Sequence, residues 1–167
     1  LNLNGLNNLS ELHFQENQLT SLNLNGLTNL YFVNGTDNQL SVIYMKNNID
    51  NSVDINYIFR FDGNPTLIYI CADEGELDEI TERLIIYGYN GVSVNSFCNS
   101  TLDGVFYTLE GNIKIDIDNN GCTAQDANYP NFKIKIKNAT DSGYIISNTQ
   151  GNFSISLDSN TYKFTPQ

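Results

Sequence analysis

The chain has 167 residues, with 8 Lys and Arg against 19 Asp and Glu, which gives a formal net charge of −11. This charge disfavours nucleic acid and anionic membrane surfaces as partners, and no apolar run approaches the roughly 18 residues of a membrane helix. We therefore expect neither nucleic-acid binding nor direct membrane insertion, in a chain long enough for two domains.

The first predicted element is a repeat with a period of 21 residues. The segment LNLNGLNNL at residues 1–9 returns as LNLNGLTNL at residues 22–30. A period in the twenties with leucines at fixed offsets is typical of a solenoid built from stacked short strands. We expect Leu12 and Phe14 to face inward, and the Asn17 amide to bond backbone groups at the bend.

The pattern Leu9-x-x-Leu12-x-Phe14-x-x-Asn17-x-Leu19 resembles the leucine-rich repeat family. This resemblance implies a solenoid whose leucines and asparagines build the scaffold, so that ligands would bind the side chains between them. The candidate binding surface consists of Glu11, His13, Gln15, Tyr31, Phe32 and Asn34.

The repeat is expected to continue less regularly to about residue 72. An irregular last repeat with an insertion is predicted between Lys46 and Asp62, followed by a turn at residues 63–65 and a final strand at residues 67–72. A start within a repeat, without an initial Met, predicts a fragment of a longer protein.

A short helix is predicted over about residues 76–87, as a cap on the solenoid. Asp73 and Glu76 are spaced as a capping box, and Gly88 stops the helix. The period of the apolar residues places three of them on one face, namely Leu77, Ile80 and Leu84.

Cys71 and Cys98 bracket this helix, and we expect them to form a disulfide. The closed loop of about 27 residues would contribute roughly 3–4 kcal/mol in the chain-entropy model. The alternative is a pair of reduced cysteines in the core. Cys122 has no obvious partner in the chain. The first domain is placed at residues 1–98.

A second domain is predicted at residues 104–167, after a polar linker at residues 99–103. Residues 113–117, 132–137 and 153–157 alternate between apolar and polar side chains, and such strands without helices predict an antiparallel sandwich, which we expect to be truncated. On one strand, three lysines would share the outward face and protect it from aggregation. They are Lys133, Lys135 and Lys137.

The segment at residues 116–126 is a candidate calcium loop. Oxygen-bearing side chains at alternate positions, followed by Gly121, are how a short loop wraps a hard cation. Ala127 stands where an EF-hand has Glu, which excludes that motif, and an Asx-rich hairpin turn without metal is the alternative. The candidate ligands are Asp116, Asp118, Asn120, Asp126 and the backbone carbonyl of Cys122.

Together with GNI at residues 111–113, PNF at 130–132, GNF at 151–153 and Tyr162, this loop resembles the B-type repeat modules of bacterial surface proteins. That resemblance to SdrD and Cna B domains implies a prealbumin-like or immunoglobulin-like sandwich, and some such modules bind calcium in this loop. With the preceding repeats and YICAD at residues 69–73, the chain looks like large bacterial proteins exported by the type IX route. The resemblance implies an extracellular or cell-surface location.

An enzyme is not expected. His13 is the only histidine, which removes most Ser-His and Cys-His nucleophile pairs and His-rich zinc sites. We expect a non-enzymatic extracellular binding or adhesion protein, in which the solenoid binds a protein or glycan ligand and a calcium-stabilised sandwich is a spacer. The alternatives are a structural stalk or subunit of a cell-surface assembly, and a carrier segment of an enzyme whose catalytic domain lies elsewhere.

Overall fold

Strands form most of the regular structure of this chain. The computed structural model describes residues 1–48, 59–98 and 107–167, and it divides into two units, Leu1–Cys98 and Asn99–Gln167. The described residues contain fourteen strands, one α-helix and one 3-10 turn. The molecule is therefore mainly β, as predicted.

Two predictions concern residues outside the described part of the chain. The predicted polar linker at residues 99–103 lies there completely. The predicted insertion between residues 46 and 62 lies there over residues 49–58.

Seven short strands of the first unit pair in parallel. They are β1 (Glu11–His13), β2 (Ser21–Asn23), β3 (Phe32–Asn34), β4 (Val42–Tyr44), β5 (Phe59–Arg60), β6 (Tyr69–Cys71) and β7 (Ser93–Asn95). β1, β3 and β5 form the first sheet. β2, β4, β6 and β7 pair in that order in the second. From β1 to β6 the chain alternates between the sheets, and we call a segment that contributes one strand to each sheet a coil.

The register of these strands follows the repeat. Glu11 pairs with Phe32, 21 positions further along the chain, and β2 pairs with β4 at the same offset. The offset then increases to 26 between Val33 of β3 and Phe59 of β5. The period read from the sequence therefore sets the first two coils, and a longer coil follows.

Side chains from both sheets meet in one apolar core. Leu22 of β2 and Val33 of β3 line the same small cavity, and Leu24 and Leu40 are fully buried. Each such burial contributes about 1.5–3 kcal/mol. Phe14 faces inward as predicted and is 9% exposed.

Leu12 and Gly35 lie beside this core. Leu12 is only half-buried, in the first of the described coils. The Phe14 ring lies against Gly35, where a Cβ atom would come within 2.5 Å of the ring. Glycine is therefore needed at this position for the close approach of the second coil.

Buried asparagines connect successive coils. The Asn38 amide donates to the Phe14 carbonyl of the preceding coil at 3.0 Å, and the Asn38 side-chain oxygen accepts from the Leu19 N–H at 3.0 Å. Asn64 bonds the coil before it in the same two ways. We call this arrangement the asparagine ladder. It satisfies backbone groups that the stacking of coils removes from water.

Asn17 occupies the equivalent position in the first coil. Its amide donates to the carbonyls of Phe14 and Gln15, at 3.0 and 2.9 Å. The prediction that this side chain bonds backbone groups at the bend is therefore confirmed.

The helix α1 (Leu77–Ile86) follows a 3-10 turn at Glu74–Glu76. The backbone N–H of Asp73 donates to the Glu76 carboxylate at 3.3 Å, so the predicted capping box is present. Gly88 adopts a φ of 77° just after the helix and ends it. The predicted apolar face is buried through Leu77, Ile80 and Leu84.

Cys71 and Cys98 form a disulfide, as predicted, with 5.4 Å between their Cα atoms. Cys71 lies in β6 and is fully buried, whereas Cys98 follows β7 by three residues. The bond therefore connects both ends of the segment that contains α1. Cys122 is exposed and free.

The second unit is built from antiparallel strand pairs. Its strands are β8 (Tyr107–Asn112), β9 (Lys114–Ile115), β10 (Ala127–Asn128), β11 (Lys133–Lys137), β12 (Ser142–Ile146), β13 (Asn152–Leu157) and β14 (Lys163–Pro166). β8 pairs with β13, and β9 pairs with β10. β11 lies between β12 and β14. Within residues 107–167, the buried apolar side chains are Ile134, Ile136, Ile145, Ile155 and Leu157.

One predicted strand of this unit is too long. Residues 113–117 were expected to form a strand, but β9 ends at Ile115. Ile117 is 80% exposed, so it cannot contribute to the core that the alternation suggested. Asp116 accepts backbone hydrogen bonds from Asn120 and Gly121 instead, and these bonds turn the chain away from β9.

Candidate functional sites

The candidate binding surface lies on the first two coils. Glu11 and His13 belong to β1, and their partners in the parallel register are Phe32 and Asn34 of β3. The structure therefore brings these predicted residues side by side.

Four aromatic or charged side chains on this surface contact one another. The Tyr31 hydroxyl donates to the Glu11 carboxylate, and His13 Nε2 lies 3.3 Å from the other Glu11 oxygen. The His13 ring stacks on Phe32, with 4.8 Å between centroids and 26° between planes. Tyr31 is 53% exposed. We call these four residues the aromatic cluster.

Hydrogen bonding within this cluster shifts the pKa of two of its residues. The bond from Tyr31, followed by the contact with His13, lowers the pKa of Glu11. The same bond to the carboxylate raises the pKa of Tyr31. Glu11 is therefore held in its charged form beside the two rings.

The remaining two predicted residues take less part in this surface. Gln15 is exposed, and its backbone carbonyl accepts the Asn17 amide. The Asn34 side-chain oxygen accepts the Thr36 N–H at 3.3 Å, so this side chain serves the turn after β3.

The candidate calcium loop brings three carboxylates together. Single oxygens of Asp116, Asp118 and Asp126 all lie within 4.8 Å of one another. We call these residues the carboxylate group. Three negative charges at such distances repel one another, and oxygen ligands in this arrangement are what a hard cation prefers.

Backbone N–H groups of the loop point at these carboxylates. Asp116 accepts from Asn120 and Gly121 at 3.1 and 2.9 Å, and Asp126 accepts from Thr123. Such bonds offset part of the repulsion, as in an ordinary Asx turn.

One predicted ligand is placed differently from the three aspartates. The Asn120 side chain presents its nitrogen to Asp118, at 2.6 Å, rather than its oxygen. The Cys122 side chain is exposed, and its backbone carbonyl stays a predicted ligand.

Lys114 of β9 also bonds this loop, which the sequence did not predict. Its ammonium group donates to the carbonyls of Ala124 and Asp126, at 2.9 and 3.1 Å. It therefore connects β9 with the far arm of the loop. The alternating pattern at residues 113–117 marks Lys114 only as an outward side chain, so the sequence holds no signal for this bond.

Comparison of the chain with protein-family models, with curated proteins and with solved structures gives no match in any of the three. Within residues 1–48, 59–98 and 107–167, no helix has the length and apolar content needed to cross a membrane. The disulfide between Cys71 and Cys98 indicates folding in an oxidising environment.

Proposed function

We propose that this protein is a non-enzymatic extracellular binding or adhesion protein. Its first unit is a leucine-rich-repeat solenoid that binds a protein or glycan ligand, and its second is a prealbumin-like sandwich that acts as a calcium-stabilised spacer. The oxidising environment that a disulfide requires supports export to the cell surface. The resemblance to large exported bacterial proteins is the ground for proposing a type IX route.

The observation that carries this proposal is the aromatic cluster. Tyr31 and His13 contact the charged Glu11 carboxylate, and the Phe32 ring stacks on His13. Rings beside a fixed hydrogen-bonding group are what protein and glycan sites use, because the rings contribute area at low entropy cost while the polar group orients the ligand.

Calcium in the second unit is supported by the carboxylate group. Asp116, Asp118 and Asp126 would hold the ion, and Ca²⁺ would neutralise their mutual repulsion. Calcium would then stiffen the loop between β9 and β10, as suits a spacer.

The test of ligand binding uses a matched pair of exposed tyrosines. A glycan array and a panel of extracellular matrix proteins are probed with the full chain, with Tyr31→Ala and with Tyr107→Ala. Tyr31 is 53% exposed and Tyr107 is 61% exposed. We expect Tyr31→Ala to weaken binding about tenfold, because aromatic anchors dominate such interfaces, and Tyr107→Ala to leave it unchanged.

Two results would contradict this proposal. An equal loss of binding in both variants would show that the aromatic cluster is not part of the binding interface. Ordered self-association of the chain, with no binding to either panel, would favour the alternative of a stalk or subunit in a surface assembly.

A further inference from the structure

A basic surface lies on the outer face of β11 in the second unit. Ile134 and Ile136 are buried, and the lysines alternate with them along the strand. The face therefore carries three lysines from β11, and a fourth from β14 joins them because Lys137 pairs with Lys163. We call the four the lysine face: Lys133, Lys135, Lys137 and Lys163.

The lysine face concentrates charge in an acidic protein. It holds four of the eight Lys and Arg residues of the chain, against 19 Asp and Glu overall. None of the other residues paired with these lysines in β12 and β14 is acidic. They are Ile146, Tyr144, Ser142 and Thr165.

Two of these lysines are placed at a cost to stability. Lys137 and Lys163 are direct cross-strand partners, and like charges directly opposite each other destabilise a sheet. Lys133 and Lys135 lie over the same Tyr144 ring, with their ammonium groups 4.4 and 5.7 Å from its centroid. A bound anion would remove this repulsion.

We propose that the lysine face binds an acidic polysaccharide. Alternate residues of a strand are about 7 Å apart, so the three lysines of β11 are spaced regularly along one face of the strand, which suits an extended polyanion. Because two ammonium groups cover Tyr144, the face offers no free ring on which a nucleic-acid base could stack. This site is separate from the aromatic cluster and does not depend on it.

The test is calorimetric titration of the full chain with heparin and with polygalacturonate, a sulfated and a carboxylated probe. We expect saturable binding at low ionic strength that weakens as salt increases, because the Debye length falls from about 30 Å at 0.01 M to about 10 Å at 0.1 M. Lys137→Glu should weaken binding about tenfold, since it removes one attraction and adds one repulsion.

The control is Arg60→Glu, the same charge change at the exposed residue of β5 in the first unit, which should weaken binding less than about twofold. Lys137→Glu should fold at least as stably as the parent, because the introduced carboxylate would face Lys163 as an opposite charge. Thermal unfolding of the variant checks this.

Three results would overturn the proposal. The first is no binding to either polysaccharide at low ionic strength. The second is equal weakening by Lys137→Glu and Arg60→Glu. The third is equally tight binding to a single-stranded oligothymidylate or to anionic vesicles. Tyr31→Ala should bind both polysaccharides normally. Failure of the proposed ligand site in the first unit could therefore be distinguished from failure of the lysine face.

Discussion

At the scale of single residues, asparagine contributes more to the structure than the leucine spacing alone suggests. Asn38 is 4% exposed and Asn64 is fully buried, yet each satisfies backbone groups in two coils. Asn17 is exposed and bonds carbonyls of its own coil. Asparagines at the same repeat position therefore contribute different amounts to stability, depending on the coil in which they lie.

Asn38→Ala should destabilise the first unit by about 2 kcal/mol. The substitution leaves the Leu19 N–H without its side-chain partner, and a buried unsatisfied group costs about 1–3 kcal/mol. The Phe14 carbonyl loses the bond from Asn38 but keeps the one from Asn17. Urea unfolding followed by circular dichroism measures the change. Asn17→Ala is the matched control, for which we expect about 1 kcal/mol. Equal losses in the two variants would contradict the ladder.

Tyr162 is expected to affect stability at alkaline pH. Burial, followed by its hydrogen bond to Asp158, raises the pKa of Tyr162 to about 12. A folded pKa above the unfolded value of about 10 means that the stabilisation is complete below pH 10 and is lost as pH rises toward 12. Tyr162→Phe should therefore reduce the decline of unfolding free energy between about pH 10 and 12. Two results would refute this. One is an unchanged decline of the unfolding free energy in Tyr162→Phe. The other is that the tyrosinate absorbance of the parent shows no late transition that is missing from Tyr162→Phe.

At the scale of elements, the helix and the disulfide act on the same segment. β7 extends the second sheet beyond β6, α1 lies between them in the chain, and the bond from Cys71 to Cys98 encloses both. The last turns of the first unit are thus held by a covalent bond as well as by apolar burial.

Cys71→Ser should lower the unfolding free energy of the first unit by roughly 3–4 kcal/mol, the chain-entropy cost of a 27-residue loop. Denaturant midpoints with and without reductant measure this, and reductant should not shift the midpoint of the variant. Cys122 serves as an internal control, because its exposed thiol should react with an alkylating agent in the native, non-reduced protein. Alkylation of Cys71 and Cys98 under the same conditions would exclude the disulfide.

The elements that could be predicted from the sequence are those with agreeing local signals. The helix has a capping box, a 3.6-residue apolar period and a terminal glycine, and it was predicted to within one residue at each end. β8 and β12 were missed because each contains residues typical of turns. In β8, Gly111 leaves room for the Phe153 ring, which a Cβ atom would approach to 2.5 Å. In β12, Gly143 is buried opposite Ile136. In both strands, packing decided against local preference.

The candidate sites could likewise be predicted only in part from the sequence. The alternate positions of Asp116 and Asp118, with Asp126 further along the same short loop, allowed the carboxylate group to be predicted. The aromatic cluster was predicted as a set of outward residues. The hydrogen bond from Tyr31 to Glu11 depends on the register between coils. The sequence pattern does not predict which individual side chains that register brings into contact.

At the scale of the whole molecule, the two units differ in charge. Residues 1–98 hold 12 of the 19 acidic residues and three of the eight Lys and Arg. Residues 99–167 hold the remaining seven acids and five lysines. The first unit therefore repels polyanions, and an anionic polymer would approach the protein through the second.

Calcium should stabilise the second unit alone. At a concentration ten times the dissociation constant, a bound ion adds about 1.4 kcal/mol to the unfolding free energy, and extracellular calcium modules bind on the order of 10⁻⁴–10⁻³ M. Hydrogen exchange should slow at residues 116–126 and remain unchanged at residues 1–48. Asp116→Asn should abolish the effect, while Asp141→Asn should preserve it. Protection that is absent, or that persists in Asp116→Asn, would reduce the loop to a metal-free turn.

The asparagine ladder also spans a change in coil length. Asn38 follows Asn17 by 21 residues and Asn64 follows Asn38 by 26, yet Asn64 bonds the preceding coil as Asn38 does. The bend therefore keeps the same hydrogen bonds whether the next asparagine lies 21 or 26 residues further along the chain. Coil length can thus change from one repeat to the next while the bends stay aligned, so the length of a repeat and the alignment of the stack can vary independently.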